Sequence, residues 1–109
     1  MVGPVVGPLE VGARRADELR REGARMVDVR RDDEWAAGHV EGAEHLPLDQ
    51  LAARADELGA GPIVFYCAVG ERSLMAAQAL SGAGRDAVSL AGGIGAWEEA
   101  GLPVEKGPS

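Results

Sequence analysis

Pro62-Ile63-Val64-Phe65-Tyr66-Cys67-Ala68-Val69-Gly70-Glu71-Arg72-Ser73-Leu74-Met75-Ala76-Ala77 is the stretch that decides the fold. Its first five residues form a short apolar run, the pattern of a strand buried on both faces in a parallel sheet, and a helical pattern starts at Ser73. Cys67, the one cysteine of the chain, therefore stands at the carboxyl end of a strand. In an open α/β sheet that end is where ligands bind. The six residues from Cys67 to Arg72 are enough to curl the backbone into a cup, and Gly70 lets the cup close tightly.

Outward from this stretch, strand and helix patterns alternate. A first short strand is expected around Leu9-Glu10-Val11, then a surface helix over Ala13 to Glu22, with Ala13, Ala16 and Leu19 on one face. In it Arg14 with Glu18 and Asp17 with Arg21 are spaced as ion pairs, and Gly23 ends it. Met26-Val27-Asp28-Val29 reads as a strand, after which Asp32 or Asp33 can cap a short helix through Ala37. Ala43-Glu44-His45-Leu46 is a further short strand candidate. Leu48, Leu51, Ala52, Ala55 and Leu58 then mark one helix face. Beyond the helix from about Ser73 to Ala83, a strand is expected over Asp86 to Leu90 and a last helix from about Gly93 to Ala100. Alternation of this kind implies an α/β open sheet of about five parallel strands with helices on both faces. Residues 1–8, with two Gly-Pro pairs, read as a lead-in segment, 9–104 as one domain, and 105–109 as a polar tail.

The composition agrees with one folded domain, since 46% of the 109 residues are hydrophobic and 27% charged. A net charge of −7, from 11 basic and 18 acidic residues, disfavours nucleic acid and anionic membrane surfaces as partners. One cysteine makes no internal disulfide, which suits a reducing compartment and leaves the thiol free for chemistry. The first eight residues lack the basic start and apolar core of a secretory signal, and no apolar stretch approaches the roughly 18 residues of a bilayer span. The expected location is cytoplasmic.

The cup favours a reactive sulfur over a packed one. A thiolate is the nucleophile, and an ordinary cysteine has a pKa of about 8.5. Backbone N–H groups converging on the sulfur, the positive end of the following helix, and Arg72 all act to lower it. No second cysteine is present to resolve a disulfide, so redox exchange within the chain is excluded. A Cys67 persulfide remains, and the same N–H groups would hold its anionic terminal sulfur with no metal or organic cofactor. His39 and His45 match no compact zinc pattern and read as structural hydrogen-bonding residues. Asp28 reads as a loop or helix anchor, Arg30 and Glu34 as a pair four residues apart, and Trp35 and Trp97 as packing.

Three segments together resemble the single-domain rhodaneses, sulfurtransferases that carry a persulfide on a loop cysteine. The first is Asp28-Val29-Arg30 with Glu34-Trp35, Gly38-His39-Val40-Glu41-Gly42-Ala43 and His45-Leu46-Pro47-Leu48. The second is the loop from Cys67, and the third is Leu90-Ala91-Gly92-Gly93-Ile94-Gly95-Ala96-Trp97 with Gly101-Leu102-Pro103-Val104. The resemblance implies a rhodanese-like sheet of five parallel strands flanked by helices. It makes Cys67 the persulfide-forming nucleophile, and Ala68, Val69, Gly70, Glu71 and Arg72, with Ser73 at the helix start, the loop that binds the transferred sulfur. It also implies ping-pong transfer of sulfane sulfur from a donor such as thiosulfate to a thiophilic acceptor such as cyanide, a thiol or a partner protein.

Two rival readings follow from the same residues. A phosphatase or arsenate reductase of similar fold resembles Cys-x5-Arg, whereas four residues separate Cys67 from Arg72 here, a ring suited to one sulfur atom rather than three phosphoryl oxygens. A sulfur-carrier or interaction module for a dedicated protein would share Cys67 but turn over free thiosulfate poorly. The loop offers Ala68, Val69, Glu71 and one cation, so an inward-facing Glu71 would repel a dianion and favour a less charged persulfide or a protein donor.

Overall fold

The computed structural model describes residues 9–106, so the lead-in at 1–8 and Gly107-Pro108-Ser109 of the tail lie outside the described residues. In chain order the elements are β1 (Glu10–Val11), α1 (Ala13–Arg21), β2 (Arg25–Asp28), α2 (Asp32–Ala37), β3 (His39–Val40) and β4 (Glu44–His45). A 3₁₀ turn at Leu48–Gln50, α3 (Leu51–Arg54) and a second 3₁₀ turn at Ala55–Leu58 follow. The chain then runs through β5 (Ile63–Tyr66), α4 (Glu71–Gly82), β6 (Ala87–Leu90), α5 (Gly93–Glu99) and β7 (Val104–Glu105).

Five strands make one parallel sheet in the order β1-β6-β5-β2-β4. β5 is central, paired with β2 through Val27↔Phe65 and Asp28↔Tyr66 and with β6 through Phe65↔Ser89. All four of its side chains are buried, as a strand covered on both faces requires. The two-residue period sorts them: Ile63, Phe65 and Cys67 pack with Ala76, Ala77 and Leu80 of α4 and with Leu51 and Leu58. Val64 and Tyr66 pack on the opposite face with Ala16 of α1 and Trp97 of α5. This is the expected α/β architecture with helices on both faces. No helix among the described residues is long and apolar enough to cross a membrane.

Local expectations are corrected at several points. Asp17 does pair with Arg21 (3.1 Å), but it is buried and also holds Arg20 (2.8 Å), while Glu18 takes Arg15 rather than Arg14. Neither Asp32 nor Asp33 caps α2. The helix starts at Asp32, and the Arg31 N–H donates to the Glu34 carboxylate (3.0 Å). The single helix expected over 48–58 is broken into α3 between two 3₁₀ turns, with Ala52 exposed, because Leu48, Leu51, Ala55 and Leu58 can reach the core together only if the coil tightens at both ends. An antiparallel ribbon of β3 and β7, absent from the sequence expectations, pairs His39 with Glu105 and Val40 with Val104, so strand structure enters the segment read as a tail.

Candidate functional site

β5 ends at Tyr66, and the next residue is the only cysteine of the chain, with 1% of its surface exposed. Three turns of geometry build the cup around it. The Gly70 N–H donates to Cys67 Sγ at 3.1 Å and the Ser73 N–H at 3.4 Å, while the Ser73 hydroxyl lies 3.5 Å away. Gly70 has φ +108°, a left-handed conformation that turns its N–H inward and serves as the residue before α4. Gly93 closes the cup from behind: an added Cβ there would lie 2.4 Å from the carbonyl oxygens of both Cys67 and Ala68, and the Ile94 N–H donates to the Cys67 carbonyl (2.9 Å).

Burial alone would push the thiol pKa up. The Ser73 hydroxyl and the N–H groups of Ser73, Gly70 and Val69 act the other way and prevail, so the thiol titrates below its ordinary value. The Ser73 hydroxyl itself rests 2.7 Å from Ser89 Oγ, and both serines are fully buried. Ser89 sits opposite Phe65 in the sheet register, which turns its side chain to the same face as Cys67. The sequence reading missed Ser89; its signal is a hydroxyl between the apolar Val88 and Leu90 of an inner strand.

Of the remaining loop residues, Ala68 is half-buried, Val69 is 66% exposed, and Glu71, the first residue of α4, is exposed. Arg72 turns to α2, where its guanidinium grips Glu34 in a two-pronged ion pair (2.8 and 3.1 Å). Arg72 is thereby held charged, chiefly by Glu34 against the cost of burial, with a smaller contribution from Cys67. Arg72 in turn holds the Glu34 carboxyl from the ordinary 4.5 down to about 2. The pair expected between Arg30 and Glu34 does not form. Arg30 instead folds back on Asp28, its side chain donating at 2.7–3.1 Å and its backbone N–H at 2.8 Å, in a site where Asp28 is fully buried. The anchor role expected of Asp28 thus takes the form of a buried ion pair that shapes the turn after β2.

Both histidines stack on Trp35, His39 with ring centroids 3.5 Å apart and His45 at 4.8 Å. The His39 Nδ1–H donates to the Trp35 carbonyl (3.0 Å) and the His45 Nε2–H to the Arg30 carbonyl (2.8 Å), so both brace the loop around α2. Trp97 is fully buried and donates to the Pro103 carbonyl (2.9 Å). Beside the cup opens a cleft of ≈ 460 Å³ between α2 and the 3₁₀ turn at Leu48–Gln50, with Arg72 in its wall; Cys67 lies outside this lining, within the adjacent cup.

The model of the rhodanese-like domain matches residues 13–100. The chain belongs to the rhodanese-like domain family. It is 42% identical to an HTH-type transcriptional regulator of Mycobacterium tuberculosis over 94% of this chain, which spans only 48% of that protein. It is 35% identical to thiosulfate sulfurtransferase GlpE of Actinobacillus pleuropneumoniae, covering 88% of this chain and 92% of that one. Among solved structures, a rhodanese-related protein of Thermoplasma volcanium superposes with a TM-score of 0.82 at 29% identity, covering 88% of this chain and 96% of the other. The rhodanese-like fold and general sulfurtransferase kinship expected from the three sequence segments are both borne out.

Proposed function

We propose that this rhodanese-like domain is a sulfurtransferase in which Cys67 carries the sulfur. The Cys67 thiolate attacks the sulfane sulfur of thiosulfate or of a persulfide, the S–S bond of the donor breaks, and sulfite or a thiolate leaves with the bonding electrons. The terminal sulfur of the Cys67 persulfide then passes to a thiophilic acceptor, cyanide, a thiol or a protein, and the thiolate returns. The observation that carries this reading is the ring of N–H groups closing on Sγ at 3.1 and 3.4 Å, a set of fixed donors for an anionic sulfur. Ala68, Val69, Gly70, Glu71, Arg72 and Ser73 would line the transferred sulfur. Kinship with GlpE of Actinobacillus pleuropneumoniae supports thiosulfate as one donor. A single free thiol supports a reducing, cytoplasmic setting.

Thiocyanate formation from thiosulfate and cyanide tests the proposal, with intact mass after donor treatment as the direct measure. The wild type is expected to gain one sulfur and to turn over. Cys67→Ser is expected to do neither, and absence of added sulfur with every donor would overturn the reading. A second reading, a sulfur-carrying module that serves or senses for a partner protein, is favoured by the relative whose name is that of a transcriptional regulator. On that reading the persulfide forms but turnover with free cyanide is slow.

A further inference from the structure

Three arginines line the cleft beside the cup, Arg30, Arg31 and Arg72, and each is already engaged by a carboxylate. Arg30 is bound to buried Asp28 (2.7 Å), Arg31 to Asp33 (3.1 Å), and Arg72 to Glu34 (2.8 Å). Asp32 and Asp49 add two more acids to the wall, and neither is ion-paired to an arginine among the described residues. The wall itself thus carries three guanidinium groups and two carboxylates, and each guanidinium is held by a further carboxylate outside the lining, Asp28, Asp33 or Glu34. Val29, Pro47 and Leu48 give the same cleft an apolar side.

We propose that Glu34 is the specificity-determining residue of the site: by occupying Arg72 from both prongs it removes the one loop cation from donor binding, and selects an organic, singly charged sulfane donor over the thiosulfate dianion. The proposal rests on the Cys67 persulfide reading and sharpens its donor class to a hydropersulfide or thiosulfonate, whose organic body lies along Val29, Pro47 and Leu48. In the transfer, Cys67 S⁻ bonds to the outer sulfur of R–SO₂–S⁻ or R–S–S⁻, the sulfinate or thiolate leaves with the electron pair of the broken bond, and the outer sulfur keeps its negative charge on Cys67. No oxidant is consumed. Glu71, suspected from the sequence, is exposed on the first turn of α4, whereas Glu34 is bonded to the loop itself.

The decisive comparison is thiosulfate against benzenethiosulfonate, which deliver the same sulfur but differ by one charge. Glu34→Gln keeps one oxygen, able to accept the Arg31 N–H and one Arg72 N–H, and removes the charge together with the second acceptor for Arg72. Across about 8 Å of water one charge changes binding of a dianion by roughly fivefold and of a monoanion by roughly twofold, and more in a drier cleft. The variant is therefore expected to raise kcat/KM for thiosulfate about 3- to 10-fold, through KM, with about a twofold change for benzenethiosulfonate. A fall of both donors by one common factor, or an unchanged ratio with persulfide still formed, would overturn the role of Glu34. Lack of persulfide in the wild type with either donor would instead overturn the Cys67 reading beneath it. Should the variant unfold, ionic strength decides on the wild type: kcat/KM for thiosulfate rising with salt relative to the monoanion supports the proposal, and a fall, the mark of a free cation drawing the dianion in, overturns it.

Discussion

Ser73 has one hydroxyl proton and three acceptors within reach: Cys67 Sγ at 3.5 Å, the Gly70 carbonyl at 3.3 Å and Ser89 Oγ at 2.7 Å. An anionic sulfur is the strongest of these, so ionising Cys67 draws the Ser73 proton to the thiolate, and Ser89 then supplies its own proton to Ser73. Ser89 acts through Ser73 and does not touch the sulfur. Ser89→Ala should raise the midpoint of the pH profile for Cys67 alkylation by ~0.5 units and Ser73→Ala by ~1 unit, each pH unit corresponding to about 1.4 kcal/mol. The double variant should match Ser73→Ala alone, because the second serine has no route to sulfur without the first. Additive shifts, or an unmoved midpoint in Ser89→Ala, would break this chain of donors. Cys67 itself was legible in the sequence because an apolar run stops at it. Ser89 and Glu34 were not, since each is defined by a partner 16 or 38 residues away rather than by a local pattern.

At the level of elements, the cup depends on the turn into α5 as much as on the loop of Cys67. Gly93 has φ +62°, and the space its missing side chain leaves is filled by the Cys67 and Ala68 carbonyls. Gly93→Ala would add left-handed strain to a clash with backbone that cannot swing aside, so a loss of about 2–4 kcal/mol is expected in denaturant unfolding. Sulfur loading by intact mass should fall under conditions where the variant is still folded; a variant of wild-type stability that loads normally would contradict the bracing role. The Gly92-Gly93 pair could be seen from the sequence only as part of a resembling segment, and its function needs the two loops in register. The strand Ile63–Tyr66 was readable because an unbroken apolar run matches burial on both faces, and α1 because its apolar residues recur at helical spacing. The stretch from Leu48 to Leu58 was misread because its leucine spacing fits one helix as well as three short coils. The ribbon of β3 and β7 escaped because two-residue strands carry no period at all.

Across the whole molecule, two ion pairs fasten the cleft in different ways. Asp28 and Arg30 join within one turn and are shut from solvent, with side-chain exposures of 0% and 7%, whereas Glu34 and Arg72 bridge α2 to α4 at the surface of the cup. The second pair makes stability depend on acid. Glu34 titrates at about 2 when folded, through Arg72 first and the Arg31 N–H as a further cause, against 4.5 as an ordinary glutamate. A depressed folded pKa means the unfolded chain takes up the proton first, so the contribution is complete above about pH 5 and is lost as pH falls through 4.5 towards 2. The Glu34 side chain keeps 20% of its surface in solvent, which screens the pair and leaves roughly 1 kcal/mol rather than the full value of the shift. Urea unfolding of the wild type and Glu34→Gln should therefore differ by about that much at pH 7, with the wild type more stable, and the two curves should converge near pH 2. The other depressed carboxylates, Asp33 and Glu57, are exposed and common to both proteins, so they cancel in the comparison. A gap that stays constant down to pH 2 would mean that Glu34 stabilises the fold through packing and not through its charge on Arg72, and the same result would weaken the case that this carboxylate governs which donor reaches Cys67.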